Sequence, residues 1–108
     1  MNKEKTLSML GLARRAGKLA MGHDAAVNSL ISKKSRLLVF AGDVSPRLTG
    51  EFEHLIEKKH LKIKLLKTDI LISEIHFACG YKAGVISVED ENFGKKIISL
   101  SEENTDNN

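Results

Sequence analysis

Residues Arg36–Gly42 read RLLVFAG, a short run of consecutive apolar positions bounded by Ser35 and Gly42. Such a run predicts a buried strand in the middle of a sheet. On both sides of it the apolar spacing changes to that of helices. Over Lys3 to Ala16, helical intervals bring Met9, Leu12, Ala13 and Ala16 to one face, and Gly17 stops the helix. The short Lys18–Met21 run follows; it suits a strand, although four residues leave a helical assignment open. Gly22 then opens a second helix with Val27, Leu30 and Ile31 as its apolar stripe, and Lys33 and Lys34 sit favourably near its C-terminal dipole. This helix places Asp24 and Asn28 together on one face.

Downstream, Pro46 suits the first turn of a third helix with Ser45 as its cap. Leu48, Phe52, Leu55 and Ile56 form its inner stripe, and Lys58, Lys59 and His60 end it. In Lys62–Lys67, Ile63 and Leu65 alternate with lysines as in a half-exposed strand. Thr68 or Asp69 is expected to cap a fourth helix that buries Leu71, Ile72, Ile75 and Ala78 and terminates at Gly80. Tyr81–Gly84 form a loop, Val85–Val88 a last strand, and Phe93, Ile97 and Leu100 mark a final helix. Alternating helices and strands with short connections predict an α/β fold, a three-layer α-β-α sandwich with a small mixed central sheet. The 108 residues suit one domain over 1–100, followed by a polar segment, 101–108, expected to be disordered.

The net charge of +3 conceals a polarity. Met1–Arg36 holds eight Lys and Arg against two acids, whereas Glu89 onward holds two lysines against six acids. A chain so divided can meet a polyanion with one region and keep the other away. Cys79 is the single cysteine, which excludes an intramolecular disulfide. Apolar runs are too short to span a bilayer, and Arg14 and Arg15 interrupt any signal-peptide pattern, so a cytoplasmic protein without membrane contact is expected.

Catalytic chemistry finds little material. His76 and Cys79 share a helical face, but two ligands are too few for a zinc site, and the expectation is a packed thiol and a solvated imidazole. His23, His54 and His60 have no serine or cysteine in a nucleophile setting beside them. Gly11, Gly17 and Gly22 match neither a dinucleotide fingerprint nor a P-loop. No enzyme, metal or cofactor is expected.

Nucleic-acid readout finds more. Gly22, His23 and Asp24 at a helix start can approach an RNA groove closely, because glycine adds no side-chain bulk and free N–H groups meet phosphate or base acceptors. Ionised Asp24 can accept from a base amino or imino group, and Asn28 can both donate and accept. Arg14, Arg15, Lys18, Lys33, Lys34 and Lys82 supply attraction to phosphate that is independent of sequence. Alternatively, Asp24 is simply a first-turn acid on the helix dipole.

Four landmarks in order, namely LGLARRAGKLAMG, the Gly22 helix, RLLVFAGDVSPRLTGEFEHL and ACGYKAGVISV, resemble the kink-turn RNA-binding ribosomal protein family, in its bacterial YlxQ-like branch. The resemblance runs from about Leu7 to Leu100. It implies a non-catalytic α-β-α sandwich that clasps a sharply bent RNA internal loop between the Gly22 helix and the Gly80–Gly84 loop. In that loop Gly80, Tyr81, Lys82 and Ala83 would cover flipped-out or stacked nucleotides, with Tyr81 as a stacking surface. The family's polar positions after the glycine map to Asp24, Ala25 and Asn28. Many members have Asn, Glu and Lys there, so this chain lacks a cation that would donate to guanine. The implied function is binding of ribosomal or other structured RNA by a monomer. The alternative is a protein-interaction or ribosome-assembly accessory module that kept the fold and lost specific readout.

Overall fold

The computed structural model describes residues 1–103. Within them the chain alternates as α1 (Lys3–Arg15), β1 (Leu19–Met21), α2 (His23–Ile31), β2 (Leu37–Phe40), α3 (Pro46–Lys58), β3 (Lys64–Lys67), α4 (Ile72–Cys79), β4 (Val85–Val88) and α5 (Glu91–Ser101). The strands form one mixed sheet in the order β1-β4-β2-β3, with β2 and β3 parallel and the other pairings antiparallel. The apolar run expected in mid-sheet is there: every residue of β2 is buried. The short run before Gly22 is a strand, because each of its three residues finds a partner along β4.

Strand alternation divides the apolar residues between two cores. Leu37, Val39 and Ala41 of the β2 segment, with Ile86 and Val88 of β4, face Leu10, Ala13, Ile75 and Ile97 of α1, α4 and α5. Leu38, Phe40 and Val85 face Ala26, Leu30 and Phe52 of α2 and α3 on the other side. This is the expected three-layer sandwich. Phe52 is 1% exposed and meets Phe40 edge-on with ring centroids 5.8 Å apart, so truncation to alanine is worth about 3–5 kcal/mol. One polar contact crosses the second core: the buried hydroxyls of Ser29 on α2 and Ser87 on β4 lie 2.7 Å apart.

Several expectations shift in detail. In α1 the buried positions are Thr6, Leu10, Gly11 and Ala13, leaving Leu12 46% exposed, and in α2 Ala26, Ser29 and Leu30 are buried while Ile31 faces solvent. The apolar residues outnumber what one helix face can bury, and close approach favours the smaller ones. Leu71, expected inside α4, is its exposed N-cap. Thr68 does not cap α4, because its hydroxyl donates to Phe40 O at 2.8 Å and accepts from Ile70 N at 3.1 Å. At the other end of the chain α5 continues through Ser101, carried by buried Ile97 and Leu100 and capped at its start by Asp90. The remainder of the expected polar segment, 104–108, lies outside the described residues.

Candidate nucleic-acid interface

Gly22 joins β1 to α2 with φ 98° and ψ 169°, a backbone conformation open essentially to glycine. Its N–H donates to Val85 O at 2.9 Å and its carbonyl accepts from Ala26 N at 2.9 Å, so the turn is bonded to β4 and to the first turn of the helix. Having no side chain, Gly22 cannot cap α2. The first N–H groups of α2, on His23, Asp24 and Ala25, therefore point outward with the positive end of the helix dipole behind them. Elsewhere helices are capped by side chains: Asn2 accepts from Lys5 N, Ser45 from Leu48 N and Asp90 from Phe93 N.

The loop after α4 arrives beside this helix start. Gly80 takes the left-handed conformation (φ 75°) and donates to His76 O at 2.8 Å, turning the chain off the helix. The Tyr81 ring then lies against Gly22, where an added β-carbon would sit 3.9 Å from Tyr81 Cε1. Arg14, in the last turn of α1, holds its guanidinium carbon 5.5 Å from the centroid of the same ring. Gly22, Tyr81 and Arg14 thus form one patch made by three elements distant in sequence. Burial raises the Cys79 thiol above its usual pKa even though Arg14 and Arg15 nearby pull it down, which leaves it a poor nucleophile.

His23 lies between two carboxylates, its Nδ1 3.0 Å from Asp24 Oδ1 and its Nε2 2.9 Å from Glu51 Oε2. These hydrogen bonds, Asp24's first and Glu51's next, raise the imidazole pKa. Its edge meets Phe52 at 5.5 Å, which ties the α2 start to α3. His23 is therefore a bridging group, and its positive charge when protonated is matched by Asp24 and Glu51. Asp24, with a side chain 98% exposed, and exposed Asn28 one turn later leave their remaining acceptors and donors in solvent.

Not every sequence-predicted residue gathers here. Gly22, His23, Asp24, Arg14, Gly80 and Tyr81 do, with exposed Arg15 next to Arg14 and exposed Lys82 next to Tyr81. Lys18 immediately precedes β1 at the opposite end, its carbonyl accepting from Glu89 N at 2.8 Å, so the length of β1, about 10 Å, separates it from Gly22. Lys33 and Lys34 follow the far end of α2, about 14 Å of helix from its start. Ala83 is 5% exposed and packs in the core under α1 and α4, because the chain has already turned inward toward β4; its methyl is closed to a ligand.

Three residues with roles at this end were not singled out from the sequence. Asp43 accepts from Ile72 N at 2.9 Å and so caps α4 from the β2–α3 connection, a pairing only the fold creates. Glu51 reaches His23 in the same nonlocal way. Phe77 is 94% exposed on α4. Its two-residue offset from buried Ile75 is the signal that could have placed it on the outer face.

No protein-family model matches the chain. A curated relative, the RNA-binding protein YlxQ of Enterococcus faecium, is 28% identical over 107 residues, covering 94% of this chain and 95% of that protein. Among solved structures, a protein of unknown function from Bacillus halodurans superposes with a TM-score of 0.81 at 24% identity, covering 92% of this chain and 98% of that one. The Giardia lamblia 15.5kD RNA binding protein gives a TM-score of 0.64 at 15% identity, covering 88% of this chain and 80% of that one. The likeness to YlxQ spans nearly all of both chains and bears out the YlxQ-like resemblance; the structural likenesses show a shared fold.

Proposed function

We propose that this chain, akin to the RNA-binding proteins just named, is itself a non-catalytic cytoplasmic RNA-binding protein that reads a sharply bent internal loop in ribosomal or other structured RNA. The observation that carries this reading is the meeting of the uncapped α2 start with Tyr81 and Arg14. Each part answers a different feature of folded RNA. Exposed N–H groups and the helix dipole receive phosphate or a base acceptor, the bare Gly22 backbone permits close approach, and the Tyr81 face receives an unstacked base. Arg14 lies over that ring, its guanidinium carbon 5.5 Å from the centroid, and adds positive charge beside the aromatic surface.

Lys33 and Lys34, a helix length away, support the same reading as contacts to the phosphates of a flanking stem, with α2 laid along the groove. Asp24 and Asn28 lie between, where a carboxylate accepts from base amino groups and an amide serves either role. Among the described residues no group of three or more His, Cys, Asp or Glu side chains is arranged so that it could hold a metal ion, and no helix is long and apolar enough to cross a membrane.

Titration of the protein with a kink-turn RNA and a straight duplex of matched length tests the reading. The bent RNA is expected to bind more tightly at each salt concentration. Equal affinities with equal salt slopes would remove shape recognition. A second reading, a protein-interaction or ribosome-assembly module that has lost specific readout, draws on the neutral Ala25 and Asn28 and on the two carboxylates around His23. It expects the two RNAs to bind alike and weakly.

A further inference from the structure

Between α1 and α4 runs an open groove of about 770 Å³, lined by Leu7, Gly11, Leu12, Arg15, Phe77 and Ala78 along most of its length. The helices approach closely here: a β-carbon added to Gly11 would lie 3.0 Å from Ala78 O and 3.6 Å from a guanidinium nitrogen of Arg15. Arg15 therefore reclines across the crossing point, at the end of the groove where Phe77 stands. Leu12 is 46% exposed and Phe77 94%, so a phenyl ring projects into solvent on the wall of a groove that Arg15 also lines and forgoes the burial that core rings obtain.

We propose that the Arg15–Phe77 end of this groove binds an unpaired nucleobase of the bound RNA, stacked on the Phe77 ring with its phosphate toward Arg15. The inference rests on the RNA-binding reading and adds a second base site outside the Gly22–Tyr81 patch. Continuity with that patch argues for it: Phe77 precedes Gly80 by one helical turn, and consecutive arginines serve the two places, Arg14 over Tyr81 and Arg15 in the groove.

Charge also fixes the direction. Glu4 stands eleven residues, about 16 Å, along α1 from Arg15, where it would repel a phosphate chain. Glu74 is occupied, accepting from Leu71 N at 2.9 Å and pairing with Lys3 at 2.9 Å. The groove thus accepts a short unpaired end at its arginine mouth and closes to polyanion beyond it. An aromatic face beside arginine suits any base, so the site is expected to be tolerant of sequence.

The test uses a bent internal-loop RNA with blunt ends and versions carrying three unpaired nucleotides, one of them 2-aminopurine, at each end in turn. One extension is expected to raise affinity about tenfold over the blunt RNA and to quench 2-aminopurine on binding. Phe77→Ala should abolish the gain and the quenching while leaving blunt-RNA affinity within about twofold, since an exposed ring supports no packing. Phe77→Trp should retain both. The proposal is overturned if no extension gains affinity, or if the gain survives Phe77→Ala. If bent and straight RNAs bind alike but a single-stranded oligonucleotide is still quenched through Phe77, the bend reading fails and the base site stands. If the protein sediments as a dimer that Phe77→Ala converts to monomer, the groove belongs to a second copy and the proposal falls.

Discussion

Among the described residues two helices begin at positions whose side chains cannot cap them, α2 at Gly22 and α4 at Leu71, and the fold treats them in opposite ways. The start of α4 is closed from elsewhere: Asp43 accepts from Ile72 N, and Glu74 accepts from Leu71 N. At α2 the neighbouring carboxylates, Asp24 and Glu51, are instead engaged with the His23 ring, and the backbone donors are left open. Acids that could have closed the helix tip are diverted to its flank. A glycine start costs α2 only a few tenths of a kcal/mol relative to a side-chain cap, and its open N–H groups remain available to a ligand able to accept those hydrogen bonds.

The largest expected effect lies on the open side. Replacing Arg14 and Arg15 together by alanine should weaken binding of all RNAs and reduce the slope of log Kd against log salt by about 2, measured by titration across salt concentrations. Next, combining Asp24→Asn, Ala25→Glu and Asn28→Lys in one protein separates the two readings by titration: the module that has lost specific readout expects kink-turn affinity to improve by about 1–3 kcal/mol, whereas a negligible gain shows that the native residues already suffice. Gly22→Ala forces a side chain into a glycine conformation and should lower stability by about 1–3 kcal/mol in urea, together with RNA affinity. Its counterpart on the closed side, Asp43→Ala, should cost about 0.5–2 kcal/mol of stability and leave RNA affinity unchanged. If Asp43→Ala impairs RNA binding as much as Gly22→Ala does, the contrast between the two helix starts collapses.

The smallest effects are those of pH, and they run in opposite directions. His23 has a raised pKa in the fold, so its contribution is fully present below its ordinary value of 6.5 and fades as pH rises through the raised value. Glu74 has a lowered pKa, first through the Leu71 N–H and then through Lys3, so its contribution is present above 4.5 and fades as pH falls through the lowered value. Urea midpoints measured across pH should lose the alkaline shoulder in His23→Gln and the acidic one in Glu74→Gln.

Local chemistry accounts for what was legible in the sequence. Gly17 and Gly80 stop helices, Ser45 and Pro46 start one, and RLLVFAG declares a strand covered on both faces, so the order of elements and the layers follow. What escaped depends on partners far along the chain. Thr68 looks like a cap until Phe40 O claims its hydroxyl, and Asp43 looks like loop until α4 arrives above it. At the candidate site the glycine turn and Tyr81 were readable. The dispersal of Lys18, Lys33 and Lys34 was not, because charge counted along a chain carries no record of which end of a strand or helix it occupies. Ala83 is buried for a related reason: two residues before β4 the loop has already turned into the core, a turn that only the fold reveals.

Ser29 and Ser87 meet hydroxyl to hydroxyl at 2.7 Å inside an apolar layer. If α2 slid by one residue or rolled on β4, two hydroxyls would be stranded without water, so the pair acts as a dowel that permits a single seating of that helix. The angle at which Gly22 is offered is thereby settled during folding, and an incoming ligand need not supply the entropy of aiming it.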